Sequence, residues 1–516
     1  MHEYDVVIAG GGPVGMGLAI DLGQRGIKVA VLEKFTNPQP IPKGQNLTGR
    51  TMEIAASWGV AKKLRELRTT DRSKNTGGMV SWGSLLSGYR YEWLNRGLVA
   101  PYYDEANERL PQYRTEEALR SRVAELDAID VYFDTEYCGY SEIDGGVEVN
   151  ARAREEGTPV TFRARYVVGC EGSRSTLRDD AGITMDIEDH DKRMALVVFK
   201  SEQLDEILGE HRNYSIFNNL NPDLKGYWQF LGRVDDKKEW FFHAPVLKDH
   251  DYTQDEIASL LGEVVGKPFD LELTYIGYWD LRFALANRYR SGRAFIAGDA
   301  AHSHPPYGGY GINSGFEDAR NLGWKLEAVI KGWAADTLLD SYDDERRTVF
   351  RSTIDDFIRK SIETDAEFLA NFDPKRDHEA FVAELERRRL FSRVEVEQFS
   401  PHYSSSKLTV DGEGVTSAVG SHDYLGRPGR KLSRNKDMID IGPITLAPGF
   451  YVVSDCEDVA LPEKLNASVK IVCSTTEAVA GRLVLVRPDG YVALNIETSD
   501  PSNVLKDYFT KIGYIA

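Results

Sequence analysis

The chain has 516 residues, of which 41% are apolar, and its 81 acidic and 63 basic residues give a formal net charge of -18. This length predicts two or three domains. The acidic balance opposes binding to nucleic-acid phosphates or to an anionic membrane, so we expect neither partner. The sequence has no basic start or apolar signal core, and no apolar run approaches the roughly 18 residues of a membrane span. We therefore expect a cytoplasmic protein.

The cysteine pattern predicts no disulfide framework and no dithiol chemistry. The four cysteines are widely spaced and form no C-x-x-C pair, at Cys138, Cys170, Cys456 and Cys473. This spacing favours buried or inert thiols in a reducing compartment.

The first 33 residues have the order strand, glycine turn, helix, strand, acid. Tyr4 to Ile8 is typical of a buried strand, Gly10 to Gly15 follows at once, and Met16 to Gln24 continues as a helix. The strand that starts at Ile27 ends just before Glu33. Glycines at these positions admit a pyrophosphate at the helix N-terminus, and the acid accepts ribose hydroxyls. The pattern predicts a dinucleotide-binding domain.

The middle of the chain predicts two antiparallel regions. Val131 to Tyr137, Val147 to Ala153 and Pro159 to Arg165 indicate a small meander. Longer alternating runs, rich in aromatic residues, then predict a second sheet, at Arg193 to Lys200, Gly226 to Arg233, Glu239 to Val246 and Leu271 to Trp279.

The stretch from Phe295 to Leu326 joins a strand, a stiff loop and a helix. Asp299 follows the strand, where ligands of open α/β sheets collect. Two prolines and three glycines follow, and Ser314 to Glu317 has the spacing of a capping box at the start of a helix. Free amides from Gly311 to Asn313 would then face an anion or an electron-rich ring edge.

The run GDAAH, then PP, GGYGIN and DARNLGWKL, resembles the second FAD motif of the class A, single-component flavoprotein aromatic hydroxylases. The resemblance covers roughly the first 347 residues well and implies a PHBH-type fold with FAD bound along the predicted turn. No second dinucleotide fingerprint follows, so NADPH or NADH must meet the flavin transiently. By the motifs, the FAD-binding residues are Gly10, Gly12, Pro13, Val14, Gly15, Glu33, Lys34, Lys43, Gln112, Glu171, Asp299, Pro306, Gly309, Gly311, Ile312 and Asn313.

Two of these positions depart from the family pattern. Lys43 precedes a predicted amphipathic helix from about Thr51 to Leu67. It stands where the family usually carries an arginine near the FAD phosphates, which keeps the charge but loses the planar fork. A solvated surface lysine is the alternative. Glu171 replaces the family's aspartate in the motif that contacts FAD and NAD(P)H. Because glutamate is longer by one bond, it binds the same amides only if its loop lies correspondingly farther from them. A strand end followed by a capped turn also explains the run from Ser173 to Arg178.

Three residues are candidates for catalysis. Pro306 belongs to the flavin motif, and His243 and Arg233 lie on the aromatic strands that roof the substrate cavity in the family. We expect His243 to face a phenol as a base and Arg233 to bind an anion, although strand parity remains open. His302 and His304 have no further metal ligands nearby, so we expect no metal.

The last part of the chain predicts helices and then a separate domain. The helices extend to about Arg393, and a serine-rich run followed by a disordered segment, 410–421, precedes a domain with strands near Phe450, Val469, Arg482 and Tyr491. This domain resembles the thioredoxin-like extension of larger family members. Without C-x-x-C we expect it to serve packing or the contact of a homodimer.

The fold class expected is α/β. A discontinuous Rossmann-type FAD-binding domain (1–180 and 281–350) encloses an antiparallel substrate domain (181–280), and a helical connector (351–400) leads to the thioredoxin-like domain (401–516).

The resemblance implies an enzyme that uses NADPH or NADH and O2 to hydroxylate a small phenolic substrate through a C4a-hydroperoxyflavin. A halogenase, a double-bond reductase and a non-catalytic flavin-binding protein are the alternatives.

Overall fold

The computed structural model describes residues 2–71, 75–433, 435, 439, 449–455, 459–461, 469–474, 476–477 and 479–513, so Cys456 lies outside the described residues. The α-helices in these ranges are α1 (Pro13–Gly23), α2 (Gly49–Ser57), α3 (Ala61–Glu66), α4 (Gln112–Val123), α5 (Thr176–Asp180), α6 (Leu204–Leu208), α7 (Gln254–Val265), α8 (Tyr310–Ile330), α9 (Asp340–Ser352), α10 (Arg359–Asn371), α11 (His378–Gln398) and α12 (Pro501–Lys511). A π-helical segment, Thr353–Ile358, joins α9 to α10.

The strands are β1 (His2–Glu3), β2 (Val6–Ala9), β3 (Val29–Glu33), β4 (Asn46–Leu47), β5 (Asn75–Trp82), β6 (Arg90–Trp93), β7 (Glu108–Arg109), β8 (Ile129–Phe133), β9 (Thr135–Ile143), β10 (Gly146–Ala153), β11 (Pro159–Ala164), β12 (Tyr166–Gly169), β13 (Met185–Lys200), β14 (Tyr214–Leu220), β15 (Trp228–Arg233), β16 (Glu239–Leu247), β17 (Glu272–Ala286), β18 (Arg290–Ser291), β19 (Ala294–Ile296), β20 (His302–Ser303), β21 (Phe399–His402), β22 (Ser417–Val419), β23 (Phe450–Ser454), β24 (Val469–Cys473), β25 (Arg482–Val486) and β26 (Val492–Glu497).

A six-stranded sheet, in the order β18-β19-β12-β2-β3-β8, forms the centre of the first unit. Its strands pair in parallel except at the β18 edge. Every residue of β2 and β3 is buried, as expected for a parallel sheet covered by helices. The carboxyl ends of β2, β3, β12 and β19 share one edge, so the loops that follow them come together there.

An eight-stranded sheet, in the order β20-β17-β13-β16-β15-β14-β5-β6, forms the second unit. One face, which includes Phe242, packs on α7 through Ile257 and Leu261. The other face, which includes Phe241 and Leu196, packs against Ile41 from the loop after β3. We call this second face the flavin-side face, because it meets the loops of the first unit. The meander β11-β10-β9 completes this part of the fold, with β1 at its edge.

The C-terminal part forms a four-stranded sheet, β24-β23-β25-β26, with α12 at its end. Its hairpin turn reaches α8 and α9 through fully buried charges. Arg487 donates to Glu345 at 2.6 and 2.9 Å, and Lys325 of α8 donates to the same carboxylate at 2.7 Å. Burial opposes the ionisation of Glu345, but the two cations hold its pKa below the ordinary value. This sheet is therefore bound tightly to the first unit.

The α/β fold class is confirmed, but three local predictions are wrong. Helix α8 begins at Tyr310, four residues before the predicted capping box, and Glu317 pairs with Arg50 instead of capping the helix. Segment 410–421, expected to be disordered, contains β22. The helix expected from Thr51 is divided into α2 and α3, because Gly59 turns the chain with φ +77°. The thioredoxin-like nature of the last domain stays a prediction. No helix among the described residues combines the length and apolarity of a membrane span.

Candidate active site

The turn after β2 has the geometry that a bound pyrophosphate requires. Gly10 has φ +100°, and a Cβ there would lie 2.4 Å from the carbonyl oxygen of Cys170, so only glycine fits. A Cβ on Gly12 would meet nothing within 4 Å. Pro13 and Val14, at the start of α1, are partly exposed, and Gly15 is buried against Gly10. The turn is thus tight on its protein side and open on the side where α1 begins.

Glu33 ends β3 beside this turn, as predicted. Its carboxylate accepts hydrogen bonds from the amides of Gly11 (2.7 Å) and Phe35 (2.8 Å). Each oxygen keeps a second lone pair, so the group is still able to accept ribose hydroxyls. Lys34 is exposed, with its ammonium 5.5 Å from the ring of Phe35.

Asp299, Lys43 and Gln112 come together across the cleft from the turn. The Asp299 carboxyl group is reachable by solvent although protein atoms surround it densely, which places it at the bottom of a cleft. Desolvation raises its pKa, and the charges of His302 and Lys43 act in the opposite direction. Gln112 starts α4 and donates to Glu116 at 3.0 Å. Lys43 is exposed and its charge acts on Glu116 as well, so it faces this cleft.

The loop from Pro306 to Asn313 forms the far wall of the cleft. Gly309 caps α8 with φ +70°, and a Cβ on Gly311 would meet nothing within 4 Å. Gly311 and Ile312 are partly exposed, so amides of the first turn of α8 are open to a ligand. The side chain of Asn313 instead points inward, where it accepts from the amide of Thr48 (2.9 Å) and donates to the carbonyl of Asn46 (2.8 Å).

Glu171 uses its carboxylate within its own loop. It accepts from the hydroxyl of Ser175 and from the amides of Thr176 (3.2 Å) and Leu177 (3.3 Å), at the start of α5. Burial raises its pKa. The capped-turn explanation therefore accounts for the side chain, and a nicotinamide contact by Glu171 stays a prediction.

His243 lies on the flavin-side face in a box of aromatic rings. Its ring centroid is 4.8 Å from Phe230, 5.3 Å from Phe241 and 5.1 Å from Trp279. The side chain is 2% exposed, and neither ring nitrogen has a partner among the described residues. Burial lowers its pKa to about 3. The imidazole is therefore neutral, and its nitrogens are available to a ligand.

Arg233 points to the opposite face of the sheet. It pairs across the sheet with Trp240, whose neighbours pack on α7, and its guanidinium stacks over the Trp240 ring at 4.2 Å. It also forms an ion pair with Asp205 and donates to the carbonyl of Arg212 at 2.5 Å. The structure does not bring Arg233 together with His243. We therefore do not carry it forward as the substrate's anion partner.

Arg109 occupies the position expected for that partner, and the sequence analysis missed it. It lies on β7, which pairs with β4, and its guanidinium lies 5.8 Å from the Phe241 ring. Its partners are Gln45 Oε1 (2.9 Å) and the Arg233 carbonyl (3.0 Å). The side chain is 3% exposed, two of its nitrogens lack a partner, and no carboxylate among the described residues pairs with it.

A buried cation without a carboxylate is unfavourable, so its presence points to an external anion. Burial and the charge of Arg233 lower the pKa of Arg109 to about 9, which leaves it protonated at neutral pH. Two amide nitrogens are also buried without partners, that of Gln45, whose oxygen accepts from Arg109, and that of Asn218. Asn218 pairs with Phe230 on the flavin-side face. The only sequence signal for Arg109 was its place three residues before Gln112.

The loop from Pro306 to Asn313, which we call the flavin loop, meets the flavin-side face through Tyr307, whose ring lies 4.4 Å from the ring of Trp228. Pro306 precedes it and is partly exposed.

His302 donates to or accepts from Asp318 at 2.6 Å, and His304 contacts the Pro305 carbonyl at 2.6 Å. No group of three metal-ligating side chains is found in the part of the chain that the structure describes. Among the cysteines, Cys170 is buried and Cys138 and Cys473 are exposed.

The cleft fits FAD on three observations. Open space lies in front of Gly12 and Gly311, two helix N-termini border it, and Asp299 and Glu33 offer acceptors at its floor and rim. The residues that the motifs assigned to FAD come from several separate segments, and the loops after β2, β3, β12 and β19, which carry many of them, meet at one edge of the parallel sheet.

Comparison with known proteins agrees with this geometry. A family model described as "FAD binding domain" matches residues 3–356. A protein named as a polyketide hydroxylase in Streptomyces halstedii is 33% identical over 68% of this chain and 64% of its own length. The chain spans about three fifths of the length of the polyketide hydroxylases it matches. The 4-methyl-5-nitrocatechol 5-monooxygenase of a Burkholderia species is 30% identical over 98% of this chain and 96% of its own.

A solved structure of RebC, soaked with chromopyrrolic acid and holding 7-carboxy-K252c, covers 100% of both chains with a TM-score of 0.81 at 25% identity. The matched residues include every segment of the cleft from Gly10 to Asn313. The chain therefore belongs to the FAD-binding family of flavoprotein hydroxylases with a PHBH-type fold.

Proposed function

We propose that this protein is an FAD-dependent monooxygenase that uses NADPH or NADH and O2 to hydroxylate a phenolic or related electron-rich aromatic substrate. The observation that carries the proposal is the pairing of Arg109, a buried guanidinium without a carboxylate, with neutral His243 on the flavin-side face. Three aromatic rings surround His243, and one of them, Phe241, also lies beside Arg109, so a flat ring with an oxygen anion satisfies the polar atoms and buries its own apolar surface.

Arg109 binds and stabilises the phenolate oxygen of the substrate. A phenolate donates electron density into its ring, which is the electronic state that accepts an electrophilic oxygen. The cation favours this state by lowering the pKa of a phenol beside it. His243, whose pKa is about 3, stays neutral and accepts a hydrogen bond from a phenolic O–H. In this proposal Arg109, rather than a base, sets the ionisation of the substrate.

Bound FAD, once reduced by the nicotinamide, supplies the activated oxygen. The first turn of α8 directs the amides of Gly311 and Ile312 at the cleft, where they stabilise negative charge without rearrangement. The ring contact between Tyr307 and Trp228 joins the flavin loop to the eight-stranded sheet and excludes water from their interface. Lys43 holds its charge over the same cleft.

The substrate we favour is a phenol or catechol that is anionic at neutral pH. A buried cation binds a preformed anion without the cost of deprotonation, and the Burkholderia relative that matches almost the whole chain is named for a nitrocatechol. Larger polycyclic phenols are the second class, because other relatives are named for polyketides.

The test is NADPH and NADH oxidation by the flavin-loaded enzyme, with O2 uptake, in the presence of nitrocatechols, simple phenols and polycyclic phenols. We expect one class to stimulate consumption and to yield a product heavier by one oxygen atom. Chlorinated product in the presence of chloride would indicate a halogenase, and a product heavier by two hydrogens a double-bond reductase. Flavin binding without turnover on any class would indicate a non-catalytic flavin-binding protein.

A further inference from the structure

A second cavity lies behind the flavin loop, on the side of α8 that faces the C-terminal part. We call it the α8 cavity. Its volume is about 80 Å³, so it suits a ligand no larger than a single aromatic ring. Its walls include Tyr310, Asn313 and Glu317 of α8, Tyr103, and the loop around Arg430. No residue of the aromatic box around His243 lines it, so it is separate from the proposed substrate site.

The carboxylates in its wall are already paired. Glu317 accepts from Arg50 at 2.8 Å, and Glu105 and Asp423 pair with Arg65 and Arg427. Each of these three acids is therefore neutralised by its own arginine. The wall offers no free negative charge to a cation.

Two arginines of the wall have no such partner. Arg96 and Arg430 form no ion pair with any carboxylate that the structure describes, and Nε of Arg96 and Nη1 of Arg430 have no hydrogen-bond partner. Burial and the charge of Arg427 lower the pKa of Arg430, and the carboxylates of Asp423 and Glu413, which form no ion pair with it, oppose this shift only in part. The cavity therefore carries an excess of positive charge.

The remaining walls are flat and aromatic. Tyr310 lies 4.0 Å from Phe399, and the Tyr103 hydroxyl contacts Nε2 of His422 at 2.9 Å. Tyr491 lines the cavity as well. Aromatic faces accept a planar ring, and a guanidinium fork matches the two oxygens of a carboxylate.

One contact joins this cavity to the flavin loop. Arg96 donates to the carbonyl of Gly308 at 3.0 Å, and its guanidinium lies 5.6 Å from the ring of Tyr310. Asn313, also in the wall, donates to the carbonyl of Gly309 at 2.5 Å. A ligand that engages Arg96 therefore competes with, or reinforces, the contact that holds the flavin loop from behind.

We propose that the α8 cavity is a second ligand site, specific for a small planar aromatic carboxylate, and that its occupancy is transmitted to the flavin loop through Arg96. The proposal does not depend on the identity of the substrate or on turnover. It requires only the cavity, the two unpaired guanidiniums and the bond to Gly308.

The test is calorimetric titration of the flavin-loaded enzyme with benzoate, and with benzamide as the neutral analogue. We expect saturable benzoate binding, at least tenfold weaker for benzamide and for Arg430→Gln or Arg430→Met, because one charge-assisted contact is lost. Arg387→Gln, an exposed arginine on α11, is the matched control and should bind as wild type. Arg109→Met should also retain benzoate binding.

Loss of binding in Arg109→Met with retention in both Arg430 variants would place benzoate in the substrate site and overturn the proposal, as would the absence of saturable binding at millimolar benzoate. A benzoate-perturbed flavin absorbance spectrum that Arg96→Gln abolishes supports the link to Gly308. A crystal structure of the wild-type holoenzyme with benzoate decides without variants: a ring between Tyr103 and Tyr310 supports the site, and a ring only beside His243 refutes it.

Discussion

Replacing Arg109 with methionine should leave the stability of the protein nearly unchanged while it damages catalysis. A pKa near 9, compared with 12.5 for a free arginine, means that burial disfavours the charged guanidinium by roughly 5 kcal/mol. Methionine fills a similar volume and needs no solvation. It gives up the hydrogen bonds to Gln45 and to the Arg233 carbonyl, each worth about 1.5 to 3 kcal/mol as a charged contact. The free energy of unfolding should therefore change by between a loss of about 1 kcal/mol and a gain of about 2 kcal/mol.

The same change removes the cation that binds the substrate's oxygen anion. One charge-assisted hydrogen bond of about 1.5 to 3 kcal/mol corresponds to a loss of roughly tenfold to a hundredfold in kcat/KM for a phenolic substrate. The two measurements are urea unfolding at pH 7 and steady-state NAD(P)H oxidation with the best substrate of the screen. Nearly unchanged stability together with a loss of activity is expected of a residue kept for function.

Arg233→Met is the matched control, because Arg233 is equally buried but faces α7 and pairs with Asp205. It should lower the free energy of unfolding and change kcat/KM much less. If Arg109→Met destabilises the protein as much as Arg233→Met does, Arg109 is a structural residue. Unchanged kcat/KM in Arg109→Met would equally refute its contact with the substrate.

Four further outcomes are expected. Asp299→Ala and Glu33→Ala should each weaken FAD binding by about 1 to 3 kcal/mol, measured by flavin fluorescence titration; wild-type affinity in both would contradict the placement of the cofactor. Lys43→Met should weaken FAD binding more at low salt than at high salt, whereas a salt-independent, wild-type affinity would assign Lys43 to the solvent surface. Because His243 has a pKa of about 3 when folded and about 6.5 when unfolded, wild-type stability should fall by roughly 2 kcal/mol from about pH 7 to pH 5 through this residue, and His243→Leu should lose that slope in urea titrations. Stopped-flow absorbance under argon should show slow flavin reduction by NAD(P)H alone and faster reduction with substrate, since a sealed flavin must move to meet the nicotinamide; equal rates would exclude this gating.

The flavin cleft was predictable because its parts are local motifs. Two short runs, Gly10 to Gly15 and Gly308 to Asn313, contain the glycines that their backbone conformations require. Glu33 ends a strand at a fixed distance along the chain from the first of these turns. The motifs then come close together in the fold, because the carboxyl ends of parallel strands lie at the same edge of the sheet. The family match confirms this part of the fold.

The residues of the flavin-side face were only half predictable. Which face of a sheet a residue occupies depends on the register between strands, and this register is not a local property of the sequence. His243 and Arg233 lie on neighbouring strands, and the register that pairs Phe230 with His243 puts Arg233 on the other face. Arg109 was missed because the feature that distinguishes it is the absence of a carboxylate partner, which the sequence alone does not show. Its missing carboxylate becomes apparent only when β7, β4 and the sheet are packed together.

The buried cluster of Glu345, Lys325 and Arg487 has a consequence for biosynthesis. Helix α8 starts at the flavin loop and carries Lys325 in its fifth turn, while Arg487 is translated 142 residues after Glu345. Until Arg487 emerges from the ribosome, Glu345 must be buried with incomplete compensation or remain in water, so α8 and α9 cannot settle fully. Cofactor capture by the nascent chain should therefore wait for synthesis of the C-terminal sheet and should not follow directly on completion of the FAD-binding segment.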